Sequence, residues 1–334
     1  KDINTEKIEV ENKNKKKEKI SKSKNKTNNE SEQIENNLDG GGNNPLWDIW
    51  NVHEPYKIPD TTYTIKGFSI AALRSNFFIK ELGIMLDAGL SMANITNHHI
   101  FITHAHSDHI ASLPFHMYGH TEDQKLQVWI PEKSFNKVKD FVESAYIASS
   151  DTDEEIKRDE LYLYKYVNFN KINADQKLDL TIKGKKFIVE IIRCYHSIQS
   201  VGFGFIEIRQ KLKEEYKSLP GKEIGELRKK GIEINFQQEI PFFCYLGDTD
   251  KNVINEEKIK KYKTVMIECT FILDDEIDQA EKTKHIHWKG IENYVKENKE
   301  QMFILYHFSQ RYKKKEIKDF FDKQNLDNVY PWIN

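Results

Sequence analysis

The spacing of apolar and polar positions changes several times along the chain, and each change marks an element. Short alternating runs predict strands over residues 63–65, 68–73, 76–80 and 84–87, broken at Gly67 and Gly83, with a further short strand over 100–103. Helical spacing replaces them over 131–148, where Phe135, Val138, Phe141, Val142 and Tyr146 recur on one face. A second β-rich stretch predicts strands over 161–169, 178–182, 186–193 and 201–208. A charged, helix-prone insertion over 209–231, containing Pro220-Gly221, then breaks the strand rhythm. Beyond it the pattern predicts strand 242–246, a helix near 255–261, strand 264–268, helix 288–297, strand 302–306 and helix 314–323. Strands followed by mixed strand and helix, twice over and without a fixed-period repeat, predict an α+β chain. Its two mixed sheets would pack face to face, flanked by helices.

Composition changes this picture at the N-terminus. Between Glu11 and Glu30, eight Lys and five Asn fill thirteen of twenty positions. Such a segment buries too little apolar surface to offset its ordering entropy, so residues 1–44 are expected to be disordered and 45–334 to form the folded domain. An RNA-tethering or targeting arm is a functional reading of this tail; a plain solvated extension is the preferred one. The chain opens on Lys1 rather than Met, as a fragment would, so any upstream signal lies outside this reading. No run of eighteen apolar residues is present, which argues against a membrane span. A net charge of -2 means that any nucleic-acid surface must be a local patch. Cys194, Cys244 and Cys269 lie in or beside apolar runs with no C-x-x-C pair. They read as reduced core thiols of an intracellular protein, in cytoplasm or nucleus rather than an organelle.

The chemistry concentrates in Thr103-His104-Ala105-His106-Ser107-Asp108-His109, four ligand-type side chains within six residues at a strand end. Side chains at i and i+2 converge there, and a mixed imidazole–carboxylate set suits a catalytic Zn²⁺ better than a structural one. A polar turn of solvated histidines is the plainer reading of the same residues.

This H-x-H-x-D-H cluster resembles the signature of the metallo-β-lactamase superfamily, and the pieces after it resemble ribonuclease Z, including its short form. Tyr195-His196-Ser197-Ile198-Gln199-Ser200-Val201-Gly202-Phe203 is similar to that family's His strand. Leu246-Gly247-Asp248-Thr249 is similar to its G-D-T motif, and His307-Phe308-Ser309-Gln310-Arg311-Tyr312 to its closing H-x-S-x-R-Y. Each later piece alone is weak; in family order, at strand ends, they reinforce one another. The resemblance runs from about Thr61 to Tyr312. It departs from the family at Ile110-Ala111, where Gly-Gly is common, and at His287, where Thr is common.

The resemblance implies an αββα sandwich and two Zn²⁺ per chain, with Mn²⁺ or Fe²⁺ compatible with the same donors. His104, His106, His196 and Asp248 would hold the first ion. Asp108, His109, Asp248 and His307 would hold the second, Asp248 bridging the pair. Asp108, Glu268 and His285 would take part in the chemistry, His285 as proton donor oriented by Glu268; His287 competes for the donor's place. The implied activity is an endoribonuclease that removes the 3′ trailer from precursor tRNA and leaves a 3′-hydroxyl, usually as a homodimer. Residues 209–230 carry eight basic against four acidic residues, a local net of +4. They are similar to the family's tRNA-binding insertion, with Lys211, Lys213 and Lys217 as phosphate contacts and Arg311 as another near the site. The competing functions are a phosphodiesterase acting on cyclic nucleotides or small phosphodiesters, a hydrolase of thioesters or lactams, and a non-catalytic RNA-binding scaffold.

Overall fold

The computed structural model describes residues 54–91, 97–149, 157–158 and 161–333. They belong to one compact unit, Trp50–Asn334. The expected disordered segment 1–44 lies outside the described residues.

Among the described residues, fourteen strands form two sheets of seven, each with neighbours in chain order. The first sheet holds β1 (Tyr56–Lys57), β2 (Thr64–Ile70), β3 (Arg74–Ile79), β4 (Ile84–Leu86), β5 (His99–Phe101), β6 (Leu126–Pro131) and β7 (Val167–Ile172). The second holds β8 (Lys177–Ile182), β9 (Lys185–Tyr195), β10 (Gln199–Leu212), β11 (Asn235–Tyr245), β12 (Thr264–Glu268), β13 (Met302–Tyr306) and β14 (Val329–Pro331). Both follow one plan. The first three pairings are antiparallel. The last three are parallel.

Side-chain alternation explains the layers. In β12, Met266 faces the space between the sheets with Phe77, Phe101, Phe203, Tyr245 and Tyr306. Val265 and Ile267 point the other way, under helices α5 (Trp288–Glu297) and α6 (Lys314–Gln324). A strand buried on both faces has no polar stripe, hence its unbroken apolar run. On the outer face of the first sheet, Ile100, Val128 and Ile130 pack against Val138 and Val142 of α2 (Phe135–Ala148). The remaining helices are α1 (Ser107–Ile110), α3 (Gly221–Lys229) and α4 (Ile277–Thr283). Two sheets face to face with helices outside are the αββα sandwich expected.

Several local expectations shift. Residues 161–169 are not one strand: Tyr162–Lys165 forms a 3-10 turn that tucks Leu161 and Leu163 into the outer cluster, and β7 starts after it. The helix near 255–261 is two 3-10 turns, Lys251–Asn255 and Glu257–Lys261. Strand β10 outruns its apolar pattern and enters the insertion as far as Leu212, paired with Asn235 of β11. Backbone pairing sustains a hairpin where side chains no longer alternate. The helical part of the insertion is α3, carried at that hairpin's tip.

One core polar residue gives a test. His99 on β5 is 9% exposed, packs against Phe101 and Trp129, and accepts the Trp129 indole N–H at 3.2 Å. Burial, with His98 adding to it, lowers its imidazole from 6.5 to about 4. As pH falls from 6.5 towards 4 the unfolded chain gains a proton here that the folded chain refuses, so stability drops with falling pH. His99→Gln keeps an acceptor but cannot titrate, and should flatten the slope by roughly 1.4 kcal/mol per pH unit in that window. Urea unfolding of both proteins at the two ends of the window measures this; equal slopes contradict it.

Candidate metal centre

Each expected ligand, and each of the two carboxylates behind them, lies at or just past the carboxyl end of a strand. Asp87 follows β4, the H-x-H-x-D-H cluster follows β5, and His196 follows β9. Gly247-Asp248 follows β11, Glu268 ends β12, and His307 follows β13. In sheets with parallel strands these ends share one edge, and loops leaving it meet in one crevice. The Asp248 turn requires glycine before it: a Cβ on Gly247 would stand 2.6 Å from Thr103 Cβ and 2.7 Å from the Val201 carbonyl oxygen.

The seven expected ligands come together as two quartets sharing Asp248. His104, His106, His196 and Asp248 form one; Asp108, His109, Asp248 and His307 form the other. Within each, the donor atoms lie within 4.8 Å of one another. In the first, His106 Nδ1 is 3.1 Å from His104 Nε2 and 3.2 Å from His196 Nε2. His104 Nε2 is 3.6 Å from Asp248 Oδ2. In the second, His307 Nε2 is 3.3 Å from Asp248 Oδ2 and 3.4 Å from Asp108 Oδ2, and His109 Nε2 is 3.4 Å from Asp248 Oδ1.

These residues fit metal. His109 Nε2 and Asp248 Oδ1 are buried with no hydrogen-bond partner, a costly state that a cation between them would relieve. Without a cation, burial works against the charge on both, but His307, His109 and His104 hold the Asp248 carboxyl well below its ordinary range. Asp248 and Asp87 likewise outweigh burial and hold the His109 imidazole well above its own. The proton on His109 thus stands where a cation would, and metal binding would displace it.

Behind the ligands lie two buried carboxylates that sequence reading valued differently. Asp87, unassigned in the sequence, accepts from the Thr103 N–H and hydroxyl, from the Tyr245 hydroxyl at 2.8 Å, and from His109 Nδ1 at 2.8 Å. Thr103 Oγ1 in turn meets His104 Nδ1 at 3.0 Å. Glu268, expected as the orienter of His285, meets His285 Nδ1 at 2.7 Å. It also accepts the Thr249, Thr270 and Ile286 N–H groups and the Thr270 hydroxyl. Thr270 Oγ1 meets His307 Nδ1 at 3.0 Å. Carboxylate, threonine and ligand histidine therefore recur as a unit on both sides of the centre. The only sequence trace of Asp87 is a carboxylate directly after an apolar strand, which is too common to single out.

The two candidate proton donors separate. His285 stacks on His307 and has its Nδ1 4.0 Å from Asp248 Oδ2. Burial depresses its imidazole, yet Glu268 outweighs this and raises it to about 9. His287 is turned away. It is the N-cap of α5, accepting the Lys289 N–H at Nδ1, and its Nε2 bonds the Leu273 carbonyl at 2.8 Å.

The residues expected to grip substrate do not join this cluster. Lys211, Lys213 and Lys217 lie at the end of β10 remote from Gln199 and just beyond it, and Lys217 pairs with Glu214 at 2.5 Å. Arg311, four residues past His307, pairs with Glu276 at 3.1 Å and stands 5.7 Å over the Phe271 ring.

No family model matches the chain. It is similar to tRNase Z TRZ1 of Arabidopsis thaliana, 29% identical over 264 residues, covering 77% of this chain and 89% of the relative. The chloroplastic tRNase Z TRZ2 of the same plant is 26% identical over 266 residues, covering 77% and 71%. Ribonuclease Z of Borrelia recurrentis is 28% identical over 246 residues, covering 64% and 69%. Among solved structures, the short form of human tRNase Z aligns with a TM-score of 0.48 at 17% identity, over 80% of this chain and 95% of that one. The metallo-β-lactamase-fold protein YhfI of Bacillus subtilis gives 0.49 at 12% identity, over 81% and 96%. The sequence resemblance to ribonuclease Z therefore extends along most of the chain.

Asp87→Asn keeps the shape and suits the left-handed backbone at this position (φ 57°). It removes a charged acceptor from His109 and Thr103, and should weaken metal affinity about 10- to 100-fold while the fold persists. Competition with a chelator of known affinity measures this, and wild-type affinity in the variant contradicts it.

Proposed function

We infer that the chain is a metal-dependent endoribonuclease of the ribonuclease Z kind, removing the 3′ trailer from precursor tRNA and leaving a 3′-hydroxyl. The observation that carries this reading is the Glu268–His285 pair standing beside the two ligand quartets. Cleaving a P–O3′ bond leaves an alkoxide that needs a proton. A thioester's thiolate leaves without a proton, so its hydrolysis has no use for that donor.

We assign the ligands as two sets, His104, His106, His196 and Asp248 for one cation, and Asp108, His109, Asp248 and His307 for the other. Zn²⁺ best suits five imidazoles with two carboxylates. Two bound cations would lower the pKa of an attacking water and offset charge on the phosphate oxygens. The remaining work falls to side chains. Glu268 fixes the His285 ring through Nδ1, so Nε2 is the nitrogen free to give its proton to O3′. Water oxygen bonds to phosphorus, the P–O3′ bond breaks, and the trailer departs with a 5′-phosphate. Nearby dications would pull His285 down from its raised value, towards the range in which a donor releases its proton near neutrality.

The arm at the β10–β11 tip is assigned to the tRNA body. β10 starts beside His196 and spans fourteen residues to Leu212, so the arm is carried roughly 40 Å from its own centre. That separation supports a homodimer in which an arm serves the partner's site. Cys194, Cys244 and Cys269 are buried and unpaired, which supports a reducing, intracellular setting. Among the described residues no helix is long and apolar enough to cross a membrane.

Wild-type protein should cut a trailer-bearing precursor tRNA to a 3′-hydroxyl product and lose this activity to a chelator. His285→Ala should lower kcat by about 10²- to 10⁴-fold without losing metal. His287→Ala should cost about 1 kcal/mol of stability as a lost helix cap, with a far smaller rate effect. Single-turnover cleavage with end-group analysis and metal content separates these; a His285→Ala rate within a few-fold of wild type sinks the assignment.

A further inference from the structure

We propose that a pocket on the His196 side of the centre receives the trailer strand, with Lys133 and Lys137 holding its phosphates; this rests on the nuclease reading above. The pocket has a volume of about 720 Å³ and is walled by the His196–Val201 turn, the start of α2 and Arg193. Three cationic side chains line it and no carboxylate does. Arg193 is paired with Asp175 at 3.2 Å. Lys133 and Lys137 are exposed and have no ion pair among the described residues. The cations around the neighbouring His285 hollow differ: Lys251 pairs with Glu281, Lys284 with Asp250 and Lys289 with Asp274. Of the two hollows beside His196, the unpaired lysines line the first.

The wall is also built to stay open. Gln199 accepts the Lys133 backbone N–H at 2.7 Å and donates to Asn173 at 3.0 Å, tying the β10 turn to the loop after β7.

The proton donor sets the direction of the strand. The leaving O3′ belongs to the tRNA body and must face His285. That residue is absent from this pocket and lines a separate hollow of about 300 Å³ with His287 and Lys284. The attacking water lies opposite O3′, while O5′ of the trailer projects off that axis. The trailer is thus directed away from His285, and the His196 pocket is the adjoining space with free positive charge.

Precursor tRNAs sharing one body, with trailers of one, three and eight nucleotides, test this. Wild-type kcat/KM should rise about tenfold with trailer length as the lysines engage phosphates. The Lys133→Ala/Lys137→Ala double variant should lose that rise, and Lys133→Arg/Lys137→Arg should restore it. A wild type indifferent to trailer length overturns the proposal. So does an alanine variant weakened by one factor at every length, which would place the lysines on the tRNA body. Failure of wild-type protein to cut any of the three instead removes the nuclease reading.

Discussion

A single buried carboxylate organises this protein. Asp248 is 1% exposed, with one oxygen turned to His104 and His307 and the other to His109. A charge so far from water is tolerable only when surrounded by opposite charge or hydrogen-bond donors. The fold supplies the His109 imidazolium in the metal-free chain, and a cation on either side of the carboxylate would replace it. Gly247 sets where the carboxylate sits, because a side chain there would push into Thr103 and the β10 turn. Moving Asp248 would therefore disturb both quartets together.

The sandwich explains how residues from distant parts of the chain reach that carboxylate. Each sheet runs from antiparallel to parallel pairing, and the parallel strands deliver Asp87, His104, Glu268 and His307 to one edge. Between the ligands and the hydrophobic layers stand the Asp87–Thr103 and Glu268–Thr270 pairs, which fix ring orientation through the second nitrogen of each imidazole. The two pairs have different consequences. Asp87 grips His109, whose other nitrogen faces Asp248, so that ring is placed to bind metal. Glu268 grips His285 by Nδ1, and that ring lies outside both quartets.

Sequence reading reached His104, His106, Asp108 and His109 because they form one dense cluster after an apolar run, and His196, Asp248 and His307 through the resemblance of the motifs around them, taken in order. It found β12, α5 and β13 at their observed bounds because burial on defined faces leaves a clear period. It missed β6, whose run is short and follows polar, charged residues, and it misread 161–169, where aromatic residues fold as a 3-10 turn yet look like a strand. It left His285 and His287 unresolved, since two histidines one residue apart cannot be told apart without knowing where α5 begins. Asp87 and Lys133 escaped notice for a common reason. Their roles depend on neighbours more than ten residues away, and no local pattern records that.

The most direct measurement of the central claim is the number of divalent ions bound per folded chain, by native mass spectrometry. Two ions on the wild-type chain, and fewer than one on a folded Asp248→Ala variant, is the result a shared carboxylate predicts. A wild-type chain that holds a single ion, or an Asp248→Ala chain that keeps two, would contradict it.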